Sequence, residues 1–492
     1  MAQLAMAQPR MEAALGRFKQ QQLEFPDKAA AKRNYNEDKA LENMDTPYGP
    51  LVKTMRVPIE TVPGAEPQEP GAAPRELPLK YVCPFALLWV TSQDNPKFVA
   101  FLKQHVAMNM DDFKASKYWD RAQPEAQPPA RIVIYEDEVR PGNVHRPDKG
   151  RAYLAIYWSF LDYPDWFLHS VRGWFAFAFV SENQIAQIAG KDSQLTRHVL
   201  KAFFGGGDYL PNFAVDGCVV WSQAPAPPGR APRDAFWFRA VFCCFLTDAD
   251  GHHKITMCKG ASGSFMCAKC TNVVSKKELQ AGSPFVHYTC GDWTKIKGLT
   301  PERLLQLMAH LRAQKAILGK GAFDDLQQAA GWNFSEHSLV CSDMAIIADI
   351  PDSVFWDWQH SLCSSGGSAQ YELNQVLVRV KKINPELIGT LDGFKTNVVF
   401  PKSMAMHAKW TFEDRMVDKR NAHIKAFASE VLSMVVVLNL WAQLTLKPTG
   451  HLLQEVECLE LLGRILFLLR LGDKVLTRLS LLAQLVQQHH DL

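Results

Sequence analysis

The chain has 492 residues, of which 47% are hydrophobic and 21% are charged, a composition typical of globular proteins with a large core. Lysine and arginine together (54) barely exceed aspartate and glutamate (51), so the formal net charge is only +3. This balance excludes a protein that binds nucleic acid through its overall charge, and any such binding must depend on local patches.

The eleven cysteines occur at irregular spacings, and the sequence near Met1 lacks the charged, apolar and small-residue regions of a secretory leader. We therefore expect thiols or metal ligands in a reducing compartment. The longest apolar stretch, residues 426–446, is interrupted by Glu430, Asn439 and Gln443. This interruption favours a buried helix over a membrane span, and no membrane partner is predicted.

Residues 1–77 mix charges, Gln, Ala and Pro with little apolar periodicity, which predicts a disordered tail or linker. Order is expected to begin at residues 81–90. After a Pro-rich spacer, residues 131–139 (RIVIYEDEV) are typical of a buried strand that ends in three acids. Residues 151–163 and 174–180 predict two further strands, and the short loops between the three indicate an antiparallel meander.

Residues 181–204 have helical spacing and predict a helix that ends at a Gly-rich loop. Residues 214–222 predict another strand, whereas the apolar stretch 235–248 fits a strand or a helix equally well. The rest of the chain is predicted to be mostly helical. The helices expected there are 300–318, 368–383, 413–446, 452–470 and 473–489.

The most chemically distinctive stretch is residues 236–290, in which two acids end an apolar segment and two pairs of metal-ligand residues follow. The acids are Asp248 and Asp250, and the pairs are Cys267-x-x-Cys270 and His287-x-x-Cys290.

Two pairs of soft or borderline ligands supply the four donors of a tetrahedral Zn²⁺ site. Lys269, between the first two thiols, favours their ionised form. Two alternatives stay open. The cysteines are unrelated thiols, or a more distant His407 or His423 completes the site in place of the second pair.

Asp137 stands at the end of the strand 131–139, flanked by Glu136 and Glu138. Carboxylates that are brought together by separate elements can hold one or two Mg²⁺ ions, which activate water against a phosphodiester. For each of these acids alone, and for Asp248 alone, a solvated strand end is the simpler interpretation. Their combination in a fixed chain order is more specific.

The order of these elements resembles that of the RNase H-like DDE transposases of the CACTA (En/Spm-like) type. The order is a strand-borne acid, two strands, a helix, a second acid after an apolar element and then Cys-x-x-Cys. The V(D)J recombinase catalytic subunit has a similar layout. The segment FRAVFCCFLTDADGHHKITMCKGASGSFMCAKC resembles the CACTA pattern around the second acid, and FWDWQHSL (355–362) looks like its Asp-x-x-His motif. The resemblance covers about residues 80–490, at low identity.

The resemblance implies an α/β fold with an RNase H-like mixed sheet, a zinc-knuckle insertion and a C-terminal all-helical region. It implies a tail at 1–77, the core with both acids at 78–256, the knuckle at 257–299 and the helical region at 300–492. By the same resemblance Asp137 and Asp248 bind catalytic Mg²⁺ or Mn²⁺, with Asp250 as the fallback, and Cys267 and Cys270 bind structural zinc. The Asp-x-x-His motif is Asp357 and His360, and the candidates for the third acid, expected on a late helix, are Glu372 and Glu430.

The function implied is a DNA transposase that cleaves phosphodiesters and transfers strands, acting in the nucleus on double-stranded transposon ends, with a homo-oligomer as a further expectation. Because no third acid stands out, the alternative is a non-catalytic, zinc-stabilised DNA- or protein-binding remnant of a transposase. For His360 taken alone, a buried core histidine is the simpler interpretation.

Overall fold

The computed structural model describes residues 44, 46–59, 75–93, 95–106, 129–139, 152–206, 211–222, 236–260, 263–264, 267–271, 297–364, 367–400, 410–419 and 422–492. These residues belong to two units, Met1–Phe355 and Trp356–Leu492, and each is described by itself.

The strands of the described residues follow the short apolar runs of the sequence. They are β1 (Val52–Pro58), β2 (Glu76–Val82), β3 (Ala130–Val139), β4 (Tyr153–Phe160), β5 (Phe175–Ser181), β6 (Cys218–Val220), β7 (Phe236–Phe238), β8 (Ala240–Thr247) and β9 (Val354–Trp356).

The helices of the described residues range from four to 18 residues in length. They are α1 (Pro84–Gln93), α2 (Pro96–His105), α3 (Asp165–Leu168), α4 (Glu182–Ile185), α5 (Lys191–Phe204), α6 (Ala249–Thr256), α7 (Pro301–Lys315), α8 (Lys320–Ala330), α9 (Met344–Ala348), α10 (Ile350–Ser353), α11 (Trp358–Cys363), α12 (Ser368–Ile383), α13 (Glu386–Thr396), α14 (Phe412–Arg415), α15 (Ala428–Thr445), α16 (Leu453–Leu469) and α17 (Leu479–Asp491).

The largest sheet of the first unit has five strands in the order β5-β4-β3-β8-β9. Strand β4 is antiparallel to both β3 and β5, whereas β8 is parallel to β3. The predicted meander of three antiparallel strands is therefore confirmed, and so is the coarser prediction of an α/β fold with a mixed sheet and a C-terminal helical region.

Helix α5 covers one face of this sheet with apolar side chains. Leu195, Val199 and Phe203 of the helix are fully buried, and the Phe203 ring lies 5.3 Å from the Trp158 ring of β4 in an edge-to-face arrangement. Such aromatic pairs add to the free energy gained by burying apolar area. The central strand β3 is buried along its first half because it has a neighbour on each side and a helix on one face.

The prediction of a disordered tail over residues 1–77 is wrong for residues 52–58 and 76–77. Val52–Pro58 forms β1, which pairs antiparallel with β2 from Val52 opposite Val82 to Pro58 opposite Glu76. Met55 and Val57 are buried while Thr54 and Arg56 are exposed, so a short period-2 pattern is hidden in a stretch of polar average composition. The predicted boundary at residue 77 falls inside β2.

The helix predicted over residues 181–204 is two helices, α4 and α5. Gly190 ends the connecting turn, and Lys191 begins α5 with a φ of +47°. The stretch 235–248, for which the sequence fitted either element, forms β7 and β8.

In the second unit, α12, α15 and α16 pack around a core that includes Leu373, Leu377, Leu438 and Leu459, all fully buried. Among the described residues one helical segment, Ala428–Thr449, is long and apolar enough to cross a membrane. More than half (56%) of the most apolar 18-residue stretch of this segment is buried inside the protein. Buried core helices meet the same criterion of length and composition, so the segment is weak evidence for a membrane span.

The predicted helix 413–446 begins only at Ala428, apart from the single turn of α14. The reason is the side chain of Asn374, which is fully buried. Its amide donates to the carbonyls of Val417 and Ala422, each at 2.9 Å, and its oxygen accepts from the Val417 N–H at 2.8 Å. These backbone groups bond to a side chain on α12 instead of to a helix of their own.

We expect Asn374→Ala to loosen the segment around Val417 and Ala422, because three partly buried backbone groups lose their partner at a cost of up to about 1–3 kcal/mol each. Hydrogen exchange of the amides between residues 411 and 426 should become faster. The matched control is Asn397→Ala, whose exposed side chain donates one bond to Gly393. Equal exchange in the two variants would contradict this account.

Candidate functional site

The parallel pairing of β3 with β8 brings Asp137 and Asp248 together. Tyr135 lies opposite Leu246 in the register, and β8 ends one residue later, at Thr247. The same register continued by two residues places Asp137 opposite Asp248, on strands that are about 4.8 Å apart. Both side chains are exposed.

A bulge in β8 decides on which face Asp248 lies. Ile132 pairs with Phe242, but the next residue of β3, Val133, pairs with Cys244, so Cys243 is an extra residue. One extra residue moves every later side chain of the strand to the other face. Without it, Asp248 would lie opposite Glu138, on the face away from Asp137.

Tyr135 contacts the acid pair, although the sequence analysis did not single it out. Its hydroxyl donates to Asp137 Oδ2 at 2.9 Å. Burial raises the pKa of Tyr135 above its ordinary value, and the hydrogen bond and charge of Asp137, together with the charge of Asp248, raise it further. Tyr135 therefore stays a protonated donor. Its position two residues before Asp137, on the same face of the strand, is the signal that could have revealed it.

The turn after β8 fixes Asp248 as the N-cap of α6. Its Oδ1 accepts from the Gly251 N–H at 2.7 Å. This turn passes so close to β8 that a Cβ on residue 251 would lie 2.0 Å from Thr247 Oγ1. Glycine at 251 is what lets α6 begin directly at the strand end.

Glu136 is chemically separated from Asp137 although the two are neighbours in sequence. It lies on the face covered by α5, is 3% exposed, and accepts from Thr196 Oγ1 at 3.0 Å. Burial raises the pKa of Glu136 to about 8, with a smaller contribution from the charge of Asp192. Glu136 is thus a core group, and Asp137 is the accessible acid of β3.

The fallback acid, Asp250, is engaged elsewhere. It is the second residue of α6, and its carboxylate forms an ion pair with Lys254 at 2.7 Å. Its side chain lines a separate cleft with Lys254. Asp248 is the acid that lies at the end of β8 beside Asp137.

The carboxylates of Asp137 and Asp248 are oxygen donors of the type that Mg²⁺ and Mn²⁺ prefer. The hydrogen bonds from Tyr135 and Gly251 engage one oxygen of each. Among the described residues, no three His, Cys, Asp or Glu side chains form a group that could hold a metal ion. Mg²⁺ is commonly bound by one or two carboxylates together with water and substrate phosphate, so a pair suffices.

Cys267 and Cys270 lie at the two ends of a turn. The Lys269 N–H donates to Cys267 Sγ at 3.3 Å. A hydrogen bond from the Cys270 side chain is the main cause that lowers the pKa of Cys267 to about 6, which favours the thiolate that zinc requires. His287, Cys290 and His407 lie outside the described residues. The structure therefore describes two of the four predicted zinc donors, Cys267 and Cys270.

The Asp-x-x-His motif forms a capped turn in the second unit. Asp357 caps α11 by accepting from the N–H groups of Gln359 (2.8 Å) and His360 (3.3 Å), and its Oδ2 lies 2.5 Å from His360 Nδ1. Partial burial acts to raise the pKa of Asp357, but the hydrogen bonds from His360 outweigh it and the pKa is lowered. The side chain of His360 is 47% exposed, so the interpretation of a buried core histidine is wrong.

The candidate third acids both have ion-pair partners within the second unit. Glu372 of α12 pairs with His489 Nε2 of α17 at 2.7 Å. Glu430, 6% exposed, pairs with Arg415 at 2.7 Å and accepts from the N–H of Phe427 at 2.9 Å, which caps the start of α15. Asp137 and Asp248 belong to the first unit, whereas Asp357 and both glutamates belong to the second.

No family model matches the sequence, and no curated protein matches it either.

Because the carboxyl of Glu136 is buried, we expect the free energy of unfolding to fall as pH rises. Its folded pKa (about 8) exceeds its ordinary value of 4.5, so between these pH values the folded chain keeps a proton that the unfolded chain has released. The free energy of unfolding should therefore fall by up to about 1.4 kcal/mol per pH unit across that window. Glu136→Gln should remove this contribution and exceed the wild type in stability above pH 8.

Denaturant titrations at pH 5.5, 7 and 8.5 measure this difference. Glu138→Gln, an exposed neighbour on the same strand, is the control and should follow the wild type at each pH. A Glu136→Gln variant with the pH dependence of the wild type would refute the buried acid as its cause.

Gly251→Ala should destabilise the first unit by about 1–3 kcal/mol, because the new methyl group overlaps Thr247 and must push α6 from the strand end. Thr247→Ala in the same chain removes the overlap and should restore much of the loss. Gly321→Ala is the control, since nothing lies within 4 Å of a Cβ at that position. Additive effects of the two substitutions, measured as free energies of unfolding, would argue against this contact.

Proposed function

We propose that the chain is a transposase-like protein with an RNase H-like core, which cleaves DNA phosphodiesters with divalent metal ions. The observation that carries the proposal is the parallel pairing of β3 with β8, whose register, continued past its last pair, brings Asp137 and Asp248 to the same edge of the sheet. The order of elements also supports it, because an acid-bearing strand is followed by two antiparallel strands, a helix and a strand that returns beside the first.

The residues of the chain would divide the work at this site. Asp137 and Asp248 would hold Mg²⁺ or Mn²⁺, which when bound activates water, and then a DNA 3′-hydroxyl, and stabilises the entering and leaving oxygens of an in-line displacement. Tyr135 orients Asp137 through its hydroxyl, and the first turn of α6 orients Asp248. Both acids keep an exposed position that a phosphate can approach.

Zinc belongs to the same proposal as a structural ion. Cys267 and Cys270 would bind it together with His287 and Cys290, and it would hold the segment that follows α6. The ionised character of Cys267 supports this assignment. Double-stranded DNA as substrate, a nuclear location and a homo-oligomer complete the proposal. Asp357 and Glu372 are the candidates for the remaining catalytic acid.

A second function, a non-catalytic remnant that binds DNA or protein, is favoured by one observation. Glu372 and Glu430 are each held by a cationic partner, His489 and Arg415, within the second unit. An acid that is held in this way serves the fold of that unit. Such a remnant would keep the zinc and the sheet and would need no third acid.

We expect the purified full chain to nick supercoiled plasmid with Mg²⁺ or Mn²⁺, and Asp137→Asn or Asp248→Asn to lower the rate at least about 100-fold, because each removes a charge that the metal ion requires. Glu138→Gln is the control on the same strand and should nick like the wild type. Zinc content and thermal unfolding of each preparation show whether the variants are folded.

A folded, zinc-containing chain that nicks no better than its Asp137→Asn variant would decide for the remnant. If both aspartates prove necessary, Asp357→Asn and Glu372→Gln identify the further acid by the same assay.

A further inference from the structure

A cleft of about 730 Å³ lies in the first unit, outside the acid pair. Its walls are the start of α5, helix α6 with the residues that follow it, the end of α7, and residues 333–337. Its volume is within the range of ligand-binding clefts.

Backbone hydrogen bonds fix the walls of this cleft. The N–H of Asn333 donates to Met257 O at 2.8 Å, and the N–H of Lys259 donates to Gly331 O at 2.8 Å. On the α5 side, Gly190 packs so closely that a Cβ there would lie 3.3 Å from the carbonyl carbon of His337. The cleft is therefore preformed and does not depend on a bound ligand for its shape.

Four lysines line the cleft, against three acids. Two of the acids, Asp250 and Asp192, are weakened as competitors for an anion, and the third is Glu336. Asp250 is engaged by Lys254 at 2.7 Å, and burial raises the pKa of Asp192, which makes that carboxyl easier to neutralise. The remaining lysines of the lining are Lys191, Lys259 and Lys315.

One of these lysines has its ammonium group placed by an aromatic ring, and another has an unusual backbone conformation. The ammonium group of Lys315 lies 5.4 Å from the centre of the Phe334 ring, a cation–π contact that leaves its hydrogen-bond donors available for a ligand. Lys191 has a φ of +47°, a left-handed conformation that costs a lysine roughly 1–2 kcal/mol. Strained residues of this kind persist where the surrounding structure holds them, and they cluster at binding sites.

The cleft and the acid pair share helix α6. Asp248 caps its first turn, and Lys254, six residues further on, lines the cleft. At 1.5 Å per residue this separation is about 9 Å along the helix. This separation is short enough for one DNA strand to contact the cleft and the acid pair at neighbouring nucleotides, since successive phosphates of a strand advance about 3.4 Å along the duplex axis.

We propose that this cleft binds the phosphodiester backbone of a DNA strand beside the position where the acid pair acts, with Lys191 and Lys315 as phosphate contacts. The inference rests on the proposed function and adds the surface that holds the substrate. Lysine contacts with phosphate carry no base sequence, so binding here should be insensitive to sequence and should weaken with salt.

The test is fluorescence anisotropy of a labelled DNA duplex with the full chain, without added Mg²⁺ or Mn²⁺, over a range of salt concentrations. The variant Lys191→Gln/Lys315→Gln should bind more weakly and reduce the slope of log K against log [salt] by roughly 1.8, about 0.9 for each lost contact. Lys320→Gln/Lys382→Gln, two exposed lysines outside the cleft, is the control and should match the wild type.

A cleft variant with the affinity and salt slope of the wild type would overturn the inference, and so would equal losses in both double variants. Inorganic phosphate that binds the wild type and not the cleft variant, while DNA binds both equally, would also overturn it, since the lysines would then form a site for free phosphate alone. Asp137→Asn separates the two proposals, because it should bind like the wild type and fail to nick. If the cleft variant nicks and binds DNA like the wild type, the proposal for the cleft fails and the nuclease proposal stands. If the cleft variant binds DNA more weakly but no protein nicks, the wild type included, the nuclease proposal fails and the proposal for the cleft stands.

Discussion

The parallel contact between β3 and β8 is the constraint on which the candidate site depends. It joins residues about a hundred positions apart and buries Ile132, Ile134 and Phe245 completely. Apolar burial of this extent holds the two strands in one register, because a slip would turn buried side chains to the solvent face. The register has one irregularity, the extra residue Cys243, and this residue puts Asp248 on the face of Asp137. The chemistry of the site is therefore determined inside the sheet, several residues before either acid.

The alternation of β3 gives consecutive acids different roles. Glu136 points to the helix-covered face, where burial raises its pKa to about 8, while Asp137 points to the exposed face and accepts from Tyr135. One position along a strand thus separates a core carboxyl from a candidate metal ligand. The same alternation places Tyr135 beside Asp137. Consecutive acids of a strand lie on opposite faces of the sheet, so their charges stay apart. This separation lowers the electrostatic free energy of placing several acids next to one another in the sequence.

The sequence predicted the elements whose signals are local. The meander β3-β4-β5, the helix α12 and the acid at the end of β3 all follow from apolar runs and their ends. What it could not predict depends on contacts between distant residues. The bulge at Cys243 has no local signature, the segment after α14 is drawn out of a helix by Asn374, and β1 is a strand because β2 pairs with it. His360 is exposed because Asp357, three residues before it, both caps the helix and binds the ring.

Helix α6 links the acid pair to the lysine-lined cleft, and this link bears on both proposed functions. Its first turn contacts Thr247 and fixes Asp248, while its far end forms a wall of the cleft. A catalytic protein needs both ends in place, since a strand held in the cleft must also reach the acids. A remnant that only binds needs the cleft and the fixed helix but gains nothing from Tyr135 oriented on Asp137. The two proposed functions therefore differ in what they require of Tyr135, whose hydroxyl donates to Asp137 and whose ring packs beside Tyr157 and Trp174.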